Sequence, residues 1–124
     1  MNRTFLLAIG CAGLLLVAPA VADDAPATVS NGMLVDQQGM TLYTYDKDGI
    51  DKSNCNGPCA ANWPPLAAIA GAQGDEDWTV ITRDDGSLQW AYYGKPLYTF
   101  VQDKKPGDTT GEGKMDVWHI AKPQ

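Results

Sequence analysis

Gly39-Met40-Thr41-Leu42-Tyr43-Thr44-Tyr45-Asp46-Lys47-Asp48 is answered further along the chain by Gly94-Lys95-Pro96-Leu97-Tyr98-Thr99-Phe100-Val101-Gln102-Asp103. Gly, Leu, Tyr, Thr, an aromatic residue and Asp recur at identical offsets. Two copies describe a duplicated half-domain rather than a solenoid, which needs several stacked units. Within each copy the side chains alternate as on a strand, so Tyr43 and Tyr45 share one face, as do Tyr98 and Phe100. Two readings follow. The rings form core or cross-strand rows while Asp48 and Asp103 cap the turns beyond them, or tyrosines and aspartates together line a binding groove. The core reading is preferred.

Working outward, the chain reads as short strands broken by turn signals. Gly32 to Val35 and Met40 to Tyr45 form a hairpin about Asp36-Gln37-Gln38-Gly39. Asp46 to Asn62 reads as a loop, and Trp63-Pro64-Pro65 forbids regular structure. Leu66 to Ala72 is a packed connector or a turn of helix. Trp78 to Arg83 and Leu88 to Tyr93 flank Asp84-Asp85-Gly86, a strong hairpin turn. Leu97 to Val101 and Val117 to Ala121 supply further strands. The fold class expected is all-β: a small antiparallel sheet or sandwich built from two pseudo-repeated hairpin units, about 31–72 and 78–123, with a stapled loop between.

The start of the chain carries an export signal. Arg3 precedes an apolar run from Phe5 to Val17, and Ala20-Val21-Ala22 offers small residues for cleavage after Ala22. The run is too short for an ordinary membrane span. Cys11 lies in mid-run, whereas a lipid-bearing cysteine would open the mature chain, so it is read as removed with residues 1–22. Residues 23–30 read as a disordered leader, and 31–123 as one β domain. A periplasmic or secreted monomer is expected, with lipid anchoring the lesser alternative.

The net charge is −6, from 9 basic and 15 acidic residues, and loss of Arg3 makes it more negative. Nucleic acid and anionic membrane surfaces both need a basic face, so neither is an expected partner. Cys55 and Cys59 are most simply a disulfide in an oxidising compartment. A copper-binding or thiol-redox role would use them with His119 and the soft ligands Met33, Met40 or Met115. Against this, three residues separate the cysteines where thioredoxin-like motifs have two, and no βαβ pattern surrounds them. The loop Asp46-Lys47-Asp48-Gly49-Ile50-Asp51 offers hard oxygen ligands for calcium, without the spacing of an EF-hand. His119, the only histidine, has no nucleophile and orienting group in sequence reach, so no catalytic set is assigned. Trp63, Trp78, Trp90 and Trp118 read as core; two of them exposed together would suggest a carbohydrate or peptide platform.

The motif Tyr-x-aromatic-x-x-Asp, present as Tyr43/Tyr45/Asp48 and Tyr98/Phe100/Asp103, resembles that of a family of bacterial exported proteins and lipoproteins called the secreted repeat of unknown function. Cys55-x3-Cys59-x3-Trp63-Pro64-Pro65, Arg83-Asp84-Asp85-Gly86, Gln89-Trp90, Gly94-x-Pro96-Leu97-Tyr98 and Trp118-His119-Ile120-Ala121-Lys122-Pro123 extend the resemblance over 31–123. It implies an envelope or secreted location and a repeated β unit, and lends no mechanism. The expected function is an exported, non-catalytic binding or interaction module, its partner an envelope protein or small ligand, with no cofactor. The copper or thiol-redox protein, the calcium-stabilised domain and a hydrolase are the alternatives.

Overall fold

The computed structural model describes residues 25–124. The signal peptide, Cys11, the cleavage site at Ala22 and leader residues 23 and 24 lie outside the described residues. The elements are β1 (Thr28–Ser30), β2 (Met33–Val35), β3 (Tyr43–Tyr45), α1 (Pro58–Asn62), β4 (Trp78–Thr82), β5 (Leu88–Tyr92), β6 (Lys95–Pro96) and β7 (Trp118–Ile120), with a 3-10 turn at Lys114–Asp116. Among the described residues they build three small antiparallel sheets, β1-β2, β3-β7 and β4-β5-β6. The all-β architecture is the one the alternation and turn signals indicate.

The leader reading is corrected at its far end. Thr28–Ser30 is a strand, hairpinned to β2 through Asn31 and Gly32, both at positive φ, as a tight two-residue turn requires. Burial holds it there: Ala27 packs with Leu34, Leu42, Leu97 and Ala121 in one of two core clusters. The turn expected at Asp36–Gly39 also forms, with Asp36 Oδ1 accepting from the Gln38 and Met40 amides. Leu42 then donates to the Leu34 carbonyl at 3.0 Å. A second correction is α1, which forms inside the segment read as loop. Gly57 precedes it at φ 57° and Pro58 opens it, where a missing N–H costs nothing.

The two repeat copies meet at the centre. Tyr43 N donates to Tyr98 O at 2.8 Å and Tyr98 N returns a bond to Tyr43 O at 3.0 Å. Outward from that pair, each bond has a partner displaced by the offset that separates Gly39 from Gly94. Asp46 N donates to Val117 O at 2.8 Å, and Val101 N to Asn62 O at 3.0 Å. Ala121 N reaches Leu42 O at 2.8 Å, and Leu66 N reaches Leu97 O at 2.8 Å. The domain therefore has an internal pseudo-two-fold axis, with Trp63 and Trp118 as equivalent residues. Pro64 and Pro65 fit the copy beside Tyr98 because this segment serves mainly as acceptor: Pro64 O receives the Thr99 amide at 2.9 Å, and proline loses only a donor.

Candidate functional site

At the axis four rings stack face to face. Tyr45 lies 4.3 Å from Trp118, Trp118 lies 3.8 Å from Trp63, and Trp63 lies 4.0 Å from Phe100, between ring centroids. Tyr98 meets Trp118 edge-on at 5.2 Å and Tyr43 meets Trp63 edge-on at 5.4 Å. Cys55 joins the cluster and Cys59 packs against it. Aromatic pairs in these geometries contribute about 0.5–1.5 kcal/mol each beyond their burial.

The motif aspartates are exchanged between the halves. Tyr43 donates its hydroxyl proton to Asp103 Oδ2 at 2.7 Å, and Tyr98 donates to Asp48 Oδ2 at 2.7 Å. The other oxygen of each carboxylate orders the loop that follows it. Asp48 Oδ1 accepts the Asn54 amide at 2.7 Å, and Asp103 Oδ1 accepts the Thr110 amide at 2.9 Å and the Thr110 hydroxyl at 2.6 Å. The motif residues are thus core hydroxyls, each locked to the opposite copy's loop. Burial, with the carboxylate hydrogen bond adding to it, pushes both tyrosine hydroxyls well above their ordinary value of 10.0. Burial also raises Asp48, against the lowering effect of the Asn54 and Tyr98 bonds.

Beside Tyr98 lies a residue that sequence reasoning passed over. Arg83 is 4% exposed. Its Nη1 donates to Ser53 Oγ at 2.9 Å and to Gln89 Oε1 at 2.8 Å, and its Nη2 donates to Cys55 O at 2.7 Å. Ser53 Oγ in turn lies 2.7 Å from the Tyr98 hydroxyl. The β4–β5 hairpin is thereby tied to the stapled loop, a tie reinforced on the surface by Lys52 and Asn56, which both contact Asp84. Arg83 stood within the motif Arg83-Asp84-Asp85-Gly86, but nothing in the alternation marked it as inward.

Cys55 and Cys59 form a disulfide with their Cα atoms 5.2 Å apart. Replacing both with serine is expected to lower stability by about 2 kcal/mol on the loop-entropy account, read as a shift in the urea midpoint at unchanged slope.

The residues considered for metal binding are engaged with different partners, Asp46 and His119 with each other. The cysteines are bonded to each other, Asp48 serves Tyr98 and Asn54, and Asp51 accepts from Thr79 Oγ1 at 3.0 Å. Asp46 lies 2.8 Å from His119 Nε2, and Glu112 lies 3.6 Å from His119 Nδ1. Among the described residues no three His, Cys, Asp or Glu side chains are grouped to hold a metal ion, and no helix is long and apolar enough to cross a membrane.

Asp46 above all, with Glu112, raises the pKa of His119 above its ordinary 6.5. A histidine raised on folding adds stability that is full below its unfolded pKa and is lost as pH rises through the folded value. The side chain is 43% exposed, so solvent screening holds the gain to about 0.5 kcal/mol. The midpoint of unfolding should therefore fall slightly more between pH 5.5 and 8 (roughly the window about an ordinary histidine) in the native chain than in His119→Gln. Equal slopes would mean that the pairing adds nothing.

Two tryptophans lie elsewhere. The β4–β5 register sets Trp78 opposite Tyr92 and Val80 opposite Trp90, so these four share one face of the hairpin. Ile81, Gln89 and Ala91 form the buried opposite face. Trp78 and Trp90 are partly exposed, meet edge-on at 6.2 Å, and border a cleft of about 980 Å³. Leu66 and Ile69 line it with them, alongside Gln37, Gln38 and Gln73 and the acids Asp36, Asp75 and Asp77. No Lys, Arg or His is in that lining.

A duplicated β domain in which each half supplies the carboxylate for the other half's tyrosine is the class this geometry defines. The chain belongs to the family described as secreted repeat of unknown function, whose profile matches it twice, over residues 26–67 and 79–122. The description as secreted supports an exported location. No curated protein and no solved structure matches the chain.

Proposed function

We propose that the chain is an exported, non-catalytic binding module whose ligand surface is the cleft beside Trp78 and Trp90. The observation that carries this reading is the pairing of those two partly exposed indoles on one hairpin face. Large amphipathic rings in a concave, partly apolar site supply most of the affinity in such surfaces. The occupant is an extended peptide segment of another exported protein, carrying both apolar and basic side chains. Charge complementarity supports it, since the cleft's charged groups are all carboxylates. A non-catalytic role is supported by His119, both of whose ring nitrogens face carboxylates, leaving neither to activate a hydroxyl.

Tryptophan fluorescence during titration tests this with three probes: a peptide of alternating lysine and leucine, its glutamate counterpart, and a neutral oligosaccharide. The lysine peptide should bind alone, and Trp90→Ala should weaken it by at least about tenfold, as at interface anchors. Asp75→Asn with Asp77→Asn keeps the turn acceptors and should flatten the salt dependence. Binding of the oligosaccharide in place of the peptide would overturn the occupant while keeping the cleft. Silence from all three probes would overturn the cleft itself.

A further inference from the structure

We propose that the ring column at the pseudo-two-fold axis is a one-electron relay, in which an electron withdrawn from the stacked rings is replaced by Tyr43 or Tyr98 as its phenolic proton passes to Asp103 or Asp48. Three independent features carry this. The first is contact: four rings follow one another at centroid spacings of 4.3, 3.8 and 4.0 Å, so their faces touch throughout. Tyr45 at one end is partly exposed, while Trp118 at the middle is 0% exposed. An oxidant in solution can therefore come within one stacked ring of Trp118, at position 45, without entering the core.

The second feature is an orphaned donor. Trp118 Nε1 is buried and, among the described residues, has no hydrogen-bond acceptor. A buried indole N–H left unpaired costs stability and calls for an explanation. Oxidised indole normally sheds that proton. Trp118 has nothing to shed it to, so the electron hole is not trapped there and can pass to a neighbour.

The third feature is what the neighbours hold. Tyr98, edge-on to Trp118, and Tyr43, edge-on to Trp63, each place the hydroxyl 2.7 Å from a carboxylate oxygen, inside proton-transfer range. The Asp48 carboxyl is also raised by burial, which makes it a better proton acceptor. At the opposite end the ammonium of Lys114 lies 5.8 Å from the Phe100 ring centroid, and a cation there disfavours positive charge on that ring.

The step balances without a bound cofactor. A diffusible one-electron oxidant, such as an inorganic radical, takes one electron and becomes its reduced anion. The phenol loses that electron and its proton to become a neutral phenoxyl radical, and the carboxylate becomes a carboxylic acid. A small one-electron donor such as ascorbate returns the electron, and the proton goes back from the aspartate.

Pulse radiolysis with azide radicals, read by transient absorption on the disulfide-bonded chain, tests the proposal. Tyr45→Phe/Trp78→Phe/Trp90→Phe/Tyr92→Phe/Tyr93→Phe keeps an aromatic ring at every position and leaves Tyr43 and Tyr98 as the only tyrosines and Trp63 and Trp118 as the only tryptophans. It should still convert an early indolyl band into a phenoxyl band. Adding Asp48→Asn and Asp103→Asn should cut the phenoxyl yield severalfold and prolong the indolyl signal, because an amide does not accept the proton. The proposal is overturned if the phenoxyl band disappears in the phenylalanine variant, or if it is unchanged by the two asparagines. Should the asparagine variant fail to fold, the phenylalanine variant decides alone, since it keeps all four stacked rings and both tyrosine–aspartate pairs.

Discussion

Trp63→Ala is expected to cost about 3–5 kcal/mol, the range for a large aromatic removed from a close-packed core. A domain of this size has only about 5–15 kcal/mol in total, so the variant should be largely unfolded at temperatures the native chain tolerates. Three contacts go together: the stacks on Trp118 and Phe100 and the edge contact with Tyr43. The site cannot easily close over the gap. Gly111 lies so close that a Cβ built there would meet Trp63 at 2.7 and 2.9 Å and Tyr43 at 3.0 Å, and the loop bearing it is tied to Asp103 through Thr110. Urea unfolding followed by circular dichroism measures the loss. Trp90→Ala is the control: Trp90 is partly exposed, so its removal should lower stability far less and act on binding instead. A Trp63→Ala variant within 1 kcal/mol of the native chain (about fivefold in the folding equilibrium) would mean that the column is not what holds the halves together.

The column also shows where sequence reading reaches and where it stops. The duplication is legible, because Leu42/Leu97, Tyr43/Tyr98 and Asp48/Asp103 repeat at one offset. The exchange of aspartates is not. Tyr43 with Asp48 and Tyr43 with Asp103 are equally allowed by a repeat, and only the folded axis selects the second. Trp63 and Trp118 share the same offset, but the residues after them differ, Pro-Pro-Leu against His-Ile-Ala, and this hides their equivalence. β1 did carry its signal in Asn31-Gly32; the alanines and proline before it read as a leader because burial of Ala27 depends on Leu97 and Ala121 far along the chain. The helix α1 was signalled by Pro58 at its first turn and masked by the polar loop around it.

Arg83→Lys is expected to destabilise the domain by about 2–4 kcal/mol although the charge is kept. A charged residue at the end of a strand reads from sequence as solvent-facing, and Arg83 is instead buried among three neutral acceptors, two from the stapled loop and one from β5. Its planar fork meets Ser53 and Gln89 with one nitrogen and the Cys55 carbonyl with the other. A lysine ammonium is a single point and cannot sit at both nitrogens. At least one buried acceptor is then left bare, at about 1–3 kcal/mol each, and the ammonium is more costly to strip of water than a guanidinium. Arg83→Met separates the two costs. If Met is milder than Lys, desolvating the charge dominates, as in other buried ion sites; if Met is worse, the three hydrogen bonds do. Because one bond ends on Cys55, both variants should also speed reduction of the disulfide by dithiothreitol, followed by thiol labelling. An Arg83→Lys variant with native stability and a native reduction rate would show that the guanidinium does not anchor the stapled loop. The tie between hairpin and loop would then rest on the surface contacts of Asp84 with Lys52 and Asn56.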